Sequence, residues 1–132
     1  MSKFYPVAAP ILNGNEKKYV MKCLDTTWIS SNGSYITKFE EEFASYCTTK
    51  HALTCSNGTA ALHLILLAHG VEQGDEVIIP TFTFVATANA VTYCGAKPIF
   101  IDCEPDTWNI NTSLIEEKIT SRTKGIIAVH LY

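Results

Sequence analysis

Four short apolar runs, each closed by turn residues and separated by helix-length stretches, constrain this chain more than any other feature. They are Ala52-Leu53-Thr54-Cys55, Glu76 to Pro80, Pro98 to Asp102 and Gly125 to Val129. Val77-Ile78-Ile79 is continuously apolar rather than alternating, the pattern of a strand buried on both faces. Strands of that kind alternating with helices predict an α/β fold with a mostly parallel sheet flanked by helices.

The helices are read from spacing and end signals. Residues from about Ala60 to His69 form a helix that is apolar nearly all round, which implies cover on more than one side. Gly70 stands where a left-handed cap is expected. Phe84 to Tyr93 reads as another helix, stopped by Gly95, and Thr112 to Ile119 as a third, with Asn111 as its N-cap. Gly74-Asp75 is a turn.

The N-terminal stretch is different. Residues 1–13, with Pro6 and Pro10, read as an extended arm. Tyr19, Val20, Cys23 and Leu24 fall at helical spacing between Asn15 and Asp25. A polar loop follows from Thr26 to Ser34 around Trp28 and Ile29. A second helix is expected from Thr37 to Tyr46, with Phe39, Phe43 and Tyr46 as its stripe and Glu40 to Glu42 near its N-terminus, where the dipole favours acids.

Composition sets limits. Of 132 residues, 47% are hydrophobic and 17% charged, which fits a globular chain with a core. Thirteen acidic against ten basic residues give a net charge of −3, so no basic field exists for gripping nucleic acid. The basic residues read as scattered, apart from Lys17-Lys18. The five cysteines, Cys23, Cys47, Cys55, Cys94 and Cys103, include no C-x-x-C pair. A disulfide framework or metal site is not expected, and a reducing cytoplasm is the simpler setting. No signal peptide or membrane-spanning segment is read.

One turn carries a chemical signal. Ser56-Asn57-Gly58-Thr59 lies between a predicted strand and a helix, where unpaired amides and the helix dipole suit an anion. Gly58 permits close backbone approach, and Thr59 adds a hydroxyl donor. The pattern alone serves equally well as an ordinary helix cap. Neither G-x-x-x-x-G-K-S/T nor G-x-G-x-x-G occurs, so the common nucleotide-binding loops are absent. His63 and His69 read as structural, since no partner stands at ligand or triad spacing. His130 is placed near the functional edge of the sheet. Asp102, Glu104 and Asp106 flank Pro105 and read as a solvated turn. Cys55 reads as an inert thiol.

Ser56-Asn57-Gly58-Thr59-Ala60-Ala61-Leu62-His63-Leu64 resembles the phosphate-cup segment of the DegT/DnrJ/EryC1/StrS sugar aminotransferases. Trp28-Ile29-Ser30-Ser31-Asn32-Gly33, Phe39-Glu40-Glu41-Glu42-Phe43-Ala44, Gly74-Asp75-Glu76-Val77-Ile78-Ile79-Pro80 and Thr83-Phe84 are similar to further blocks of that family. So are Asn89-Ala90-Val91, Gly95-Ala96-Lys97-Pro98 and Val129-His130-Leu131-Tyr132, in the same order. Trp28-Ile29-Ser30-Ser31 resembles the perosamine synthase branch. The resemblance implies part of the large domain of a fold-type-I enzyme using pyridoxal 5'-phosphate (PLP), homodimeric, which moves an amino group from glutamate to a nucleotide-linked keto sugar. It implies a division into residues 1–36 (arm, helix and active-site loop) and 37–132 (α/β portion), with the C-terminal part of the fold absent.

Carried over by position, Gly58, Thr59 and Ala60 hold the cofactor phosphate and Phe84 lies against the pyridine ring. Without the resemblance, Phe84 reads as a core aromatic. Trp28, Ser30 and Ser31 match a loop that approaches the substrate, and equally a surface loop with a packed Trp. The lysine and the acid that complete the family's chemistry match none of Lys3, Lys17, Lys18, Lys22, Lys38, Lys50, Lys97, Lys118 and Lys124, nor Asp102. No catalytic residue and no covalent cofactor link are therefore expected here. The alternative is a non-catalytic fragment of a truncated or split gene that binds phosphate, PLP or a partner chain.

Overall fold

The structure, a computed structural model, describes residues 3–6 and 8–131. The chain forms two compact units, Met1–Leu53 and Thr54–Tyr132. Tyr132, the last residue of the family-like terminal block, lies outside the described residues.

The first unit holds α1 (Glu16–Asp25) and α2 (Ser34–Tyr46). Residues 3–6 and 8–13 carry no regular structure, as expected of an arm. The predicted stripe of α1 faces α2: Tyr19, Val20, Cys23, Leu24 and Phe39 line one apolar groove of about 380 Å³. Tyr19 meets Tyr35 at 5.0 Å between ring centroids, and Phe39 stacks on Phe43 at 5.5 Å. α2 starts three residues before the expected Thr37, with Gly33 as N-cap and its carbonyl accepting from the Ile36 amide. Glu40 to Glu42 consequently lie in the middle of the helix, where the dipole gives them no advantage.

The second unit is built on a parallel sheet, three-stranded among the described residues, in the order β2-β1-β3. β1 (Glu76–Pro80) is central and wholly buried, as its apolar run predicts. β2 (Lys97–Ile101) starts one residue earlier than expected. β3 (Thr123–Ile126) starts two residues earlier than the predicted strand and ends short of Val129. Its early end has a local cause. Glu76, Ile78 and Pro80 share the side of β1 that faces β3, and Pro80 has no amide to extend the ladder beyond the Ile127–Ile78 bond.

α3 (Gly58–Ala68) and α4 (Val85–Tyr93) pack on each other. Leu66, Val71, Val77, Ile79, Ala90, Val91 and Ala96 form the core, with Leu62 packed against it. The cover expected around α3 is present on one side only: Leu64, Ile65 and Leu67 are 43%, 53% and 50% exposed. The C-terminus of α3 closes as predicted. Gly70 adopts φ 71°, its amide donates to Leu67 and the Val71 amide to Leu66.

Two expectations fail locally. Ala52 to Cys55 is not a strand: the segment carries no regular structure and belongs to neither ladder of the described sheet. Thr112 to Ile119 is not an α-helix but two 3₁₀ turns, Thr112–Leu114 and Glu116–Lys118. Its amides bond three residues back, and so short a segment rich in β-branched residues is a poor helix nucleus. Asn111 still caps it, accepting from the Ser113 amide at 3.1 Å.

At the start of β1, Glu76 is buried (3% exposed) and accepts from Thr120 Oγ1 at 2.6 Å and from Arg122 Nη2 at 2.6 Å. The Thr120 hydroxyl and the Arg122 guanidinium hold its carboxyl below the usual carboxylate range.

Candidate functional site

Asn57 sets the geometry of the first turn of α3. Its backbone is extended (φ −166°, ψ 169°), and its Oδ1 accepts from the Ala60 amide at 2.9 Å. This is a side-chain N-cap, and it commits the Ala60 amide within the chain. Among the described residues, the amides of Gly58 and Thr59 have no acceptor, nor has the Thr59 hydroxyl a partner. Two amides and a hydroxyl are thus free at the positive end of an 11-residue helix. A Cβ built on Gly58 would meet no atom within 4 Å, so no packing contact among the described residues requires glycine there.

The loops beyond the carboxyl ends of β1 and β2 carry the next candidates. Phe84, at the N-cap of α4, is 77% exposed and is therefore not the core aromatic that its pattern alone suggests. Behind it, the Thr83 and Thr87 hydroxyls pair at 2.8 Å, with Thr87 buried. Asp102 Oδ1 accepts from the Cys103 amide at 2.8 Å, and the Glu104 carbonyl accepts from the Trp108 amide at 2.9 Å. The predicted turn around Pro105 is present, and Trp108, at φ 60°, leans on Phe82 with centroids 5.2 Å apart. No hydrogen bond or ring contact joins Phe84 to Gly58, Thr59 or Ala60. His63 makes an edge contact with Tyr93 at 5.6 Å, consistent with its structural reading.

Trp28, Ser30 and Ser31 belong to the first unit. Trp28 is 58% exposed. Ser30 Oγ donates to the Asn32 carbonyl at 3.2 Å and accepts from the Asn32 amide at 3.3 Å, which shapes the loop. Trp28 and Ser30 line a cavity of about 360 Å³ together with Lys22, Ser34 and Tyr35; Ser31 does not. The last three also line an adjoining cavity of about 460 Å³, where Lys18 and Lys38 join them. The basic residues are therefore not simply scattered. Lys18 and Lys22 are one helical turn apart, a spacing visible in sequence, but only the packing of α2 adds Lys38.

A model of the DegT/DnrJ/EryC1/StrS aminotransferase family matches residues 10–132. The chain belongs to this family. GDP-perosamine synthase of Caulobacter vibrioides is 57% identical over 126 residues, which are 96% of this chain and 34% of that protein. The solved aminotransferase from Psychrobacter cryohalolentis superposes with a TM-score of 0.85 at 36% identity, covering 96% of this chain and 32% of that one. NtdA from Bacillus subtilis, solved with bound cofactor PMP, gives a TM-score of 0.82 at 37% identity over 92% of this chain and 28% of its own. The chain spans about a third of the length of the curated relatives it matches. Both the family resemblance and the α/β fold expected from the sequence are borne out: this is part of the fold of the PLP aminotransferases. Among the described residues no helix is long and apolar enough to cross a membrane.

Proposed function

We propose that these residues supply the phosphate cradle and ring platform for PLP in an enzyme that transfers an amino group from glutamate to a GDP-linked keto sugar. The observation that carries this reading is the first turn of α3. Among the described residues its Gly58 and Thr59 amides and the Thr59 hydroxyl have no partner, while Asn57 fixes the turn through Ala60. That donor set fits a phosphate. Ala60 contributes its amide only where the Asn57 side chain yields it. Phe84, exposed and apolar, fits a flat ring platform that orients without adding charge.

When bound, PLP supplies the electron sink that amino-group transfer requires. The residues of this chain bind and orient. Gly58 and Thr59 anchor the phosphate, Phe84 faces the ring, and Trp28, Ser30 and Ser31 approach the sugar nucleotide. The 57%-identical relative, whose name carries a GDP-linked sugar, supports the nucleotide. None of the nine lysines matches the family's covalent position, so the 132 residues alone bind without turnover.

The test is a PLP titration of this chain by equilibrium dialysis. Thr59→Val keeps the side-chain shape and removes the hydroxyl donor. It is expected to weaken PLP about 10-fold or more, the worth of one hydrogen bond to a charged group. Equal binding by both chains would defeat the cradle. Turnover of a GDP-linked keto sugar with PLP and glutamate would defeat the claim that the chain alone is inactive.

A further inference from the structure

We infer that the paired cavities of the first unit form a seat for a nucleoside diphosphate, with the diphosphate at the lysine end. The inference rests on the sugar-aminotransferase reading for its choice of nucleotide, and on geometry for the rest.

The lysine end is anomalous for a chain with a net charge of −3. Lys18, Tyr19, Lys22, Ser34, Tyr35 and Lys38 line it, and no carboxylate is among them. Lys38 is 3.6 Å from Glu42, which partly offsets its charge. Among the described residues, Lys18 and Lys22 have no carboxylate within 4.0 Å. Like charges one turn apart on a helix oppose its formation. A bound dianion reverses that sign. Lys22 is also held in place: its Nζ sits 5.6 Å from the centroid of the Tyr35 ring. Ser34, the first residue of the 13-residue α2, brings a hydroxyl and the positive end of the helix to the same cavity.

The other end has different chemistry. The adjoining cavity shares Lys22, Ser34 and Tyr35 with the first and adds Trp28, Ser30 and Asn32. An exposed indole offers a stacking face, and the hydroxyl and amide side chains offer donors and acceptors. Three cations at one end and an aromatic with hydrogen-bonding groups at the other match the two halves of a nucleoside diphosphate. Volumes of about 360 and 460 Å³ fall in the range of small-ligand sites. Inorganic anions fit the lysine end alone, so nucleotide binding must draw on both ends.

The experiment is calorimetric titration of the full chain with GDP, inorganic pyrophosphate and guanosine. GDP and pyrophosphate are expected to compete, with guanosine at least about ten-fold weaker than GDP. Lys18→Ala and Lys22→Ala should each weaken GDP and pyrophosphate about ten-fold. Lys22→Arg, which keeps the charge, should retain most of the affinity. Trp28→Ala should weaken GDP and leave pyrophosphate unchanged. Guanosine binding as tightly as GDP, or GDP binding indifferent to both alanine variants, would overturn the inference. The PLP cradle is tested separately. Thr59→Val should leave GDP affinity unchanged and Lys22→Ala should leave PLP affinity unchanged, so either assignment can fail while the other stands.

Discussion

Glu76 keeps its charge inside the second unit because both oxygens of its carboxylate accept hydrogen bonds. Thr120 and Arg122 both donate, and the Glu76 amide returns a bond to the Arg122 carbonyl at 2.9 Å. The network ties the loop before β3 to the start of the central strand. It also makes stability depend on pH. The folded carboxyl lies below its ordinary value of 4.5, so its contribution is present above that value and is lost as the pH falls through the lowered one. Urea midpoints measured at pH 7 and pH 3 should fall further for the natural chain than for Glu76→Gln, which has no proton to gain. Equal falls would remove Glu76 from the account of acid sensitivity. The Thr120 bond is the first cause of the shift and the Arg122 bond the second, so both partners belong to the same test.

At the scale of elements, Asn57 has two effects. It satisfies one orphan amide of α3, and it fixes the turn in which, among the described residues, the Gly58 and Thr59 amides have no acceptor. Asn57→Ala should cost about 1 kcal/mol of unfolding free energy, the usual worth of such a cap, readable from urea denaturation. A loss near zero would mean that water caps the helix equally well. The elements that were legible in sequence are those whose signals are local. The Val77-Ile78-Ile79 run needs no context to read as a buried strand, and Gly70, Gly74 and Gly95 take positive φ at the expected helix cap, turn and helix stop. The misread elements depend on partners or lack a marker. Ala52 to Cys55 is strand-like in composition, but a strand is defined by the neighbour it pairs with. α2 begins on Gly33-Ser34 without a side-chain cap, and Ile36 and Thr37 are weak helix formers, so the sequence put its start too late. The candidate site was legible at the turn around Gly58, where Asn57, Gly58 and Thr59 are contiguous. It was not legible at the lysine cavity, because Lys38 reaches Lys18 and Lys22 only through the packing of two helices.

In the second unit, burial is deepest along β1 and on the packed side of α4, and Leu66 is the one buried residue of α3. Val77, Ile78 and Ile79 are at 0% exposure, whereas Leu64, Ile65 and Leu67 on α3 are about half exposed. Two isoleucines should therefore respond very differently to substitution. Ile79→Ala removes core packing and is expected to cost about 2–5 kcal/mol. Ile65→Gln, on the uncovered side of α3, is expected to change stability by no more than about 0.5 kcal/mol. Thermal or urea unfolding of the two variants checks the pair. A large loss from Ile65→Gln would show that something covers that side of α3 in solution.

The chain's two tryptophans fall one to each compact unit, Trp28 in the first and Trp108 in the second. Each unit thereby carries its own optical label. With Trp28→Phe, emission comes from position 108 alone, and with Trp108→Phe from position 28 alone. Two denaturation curves recorded this way would reveal directly whether the halves melt as one body or in succession.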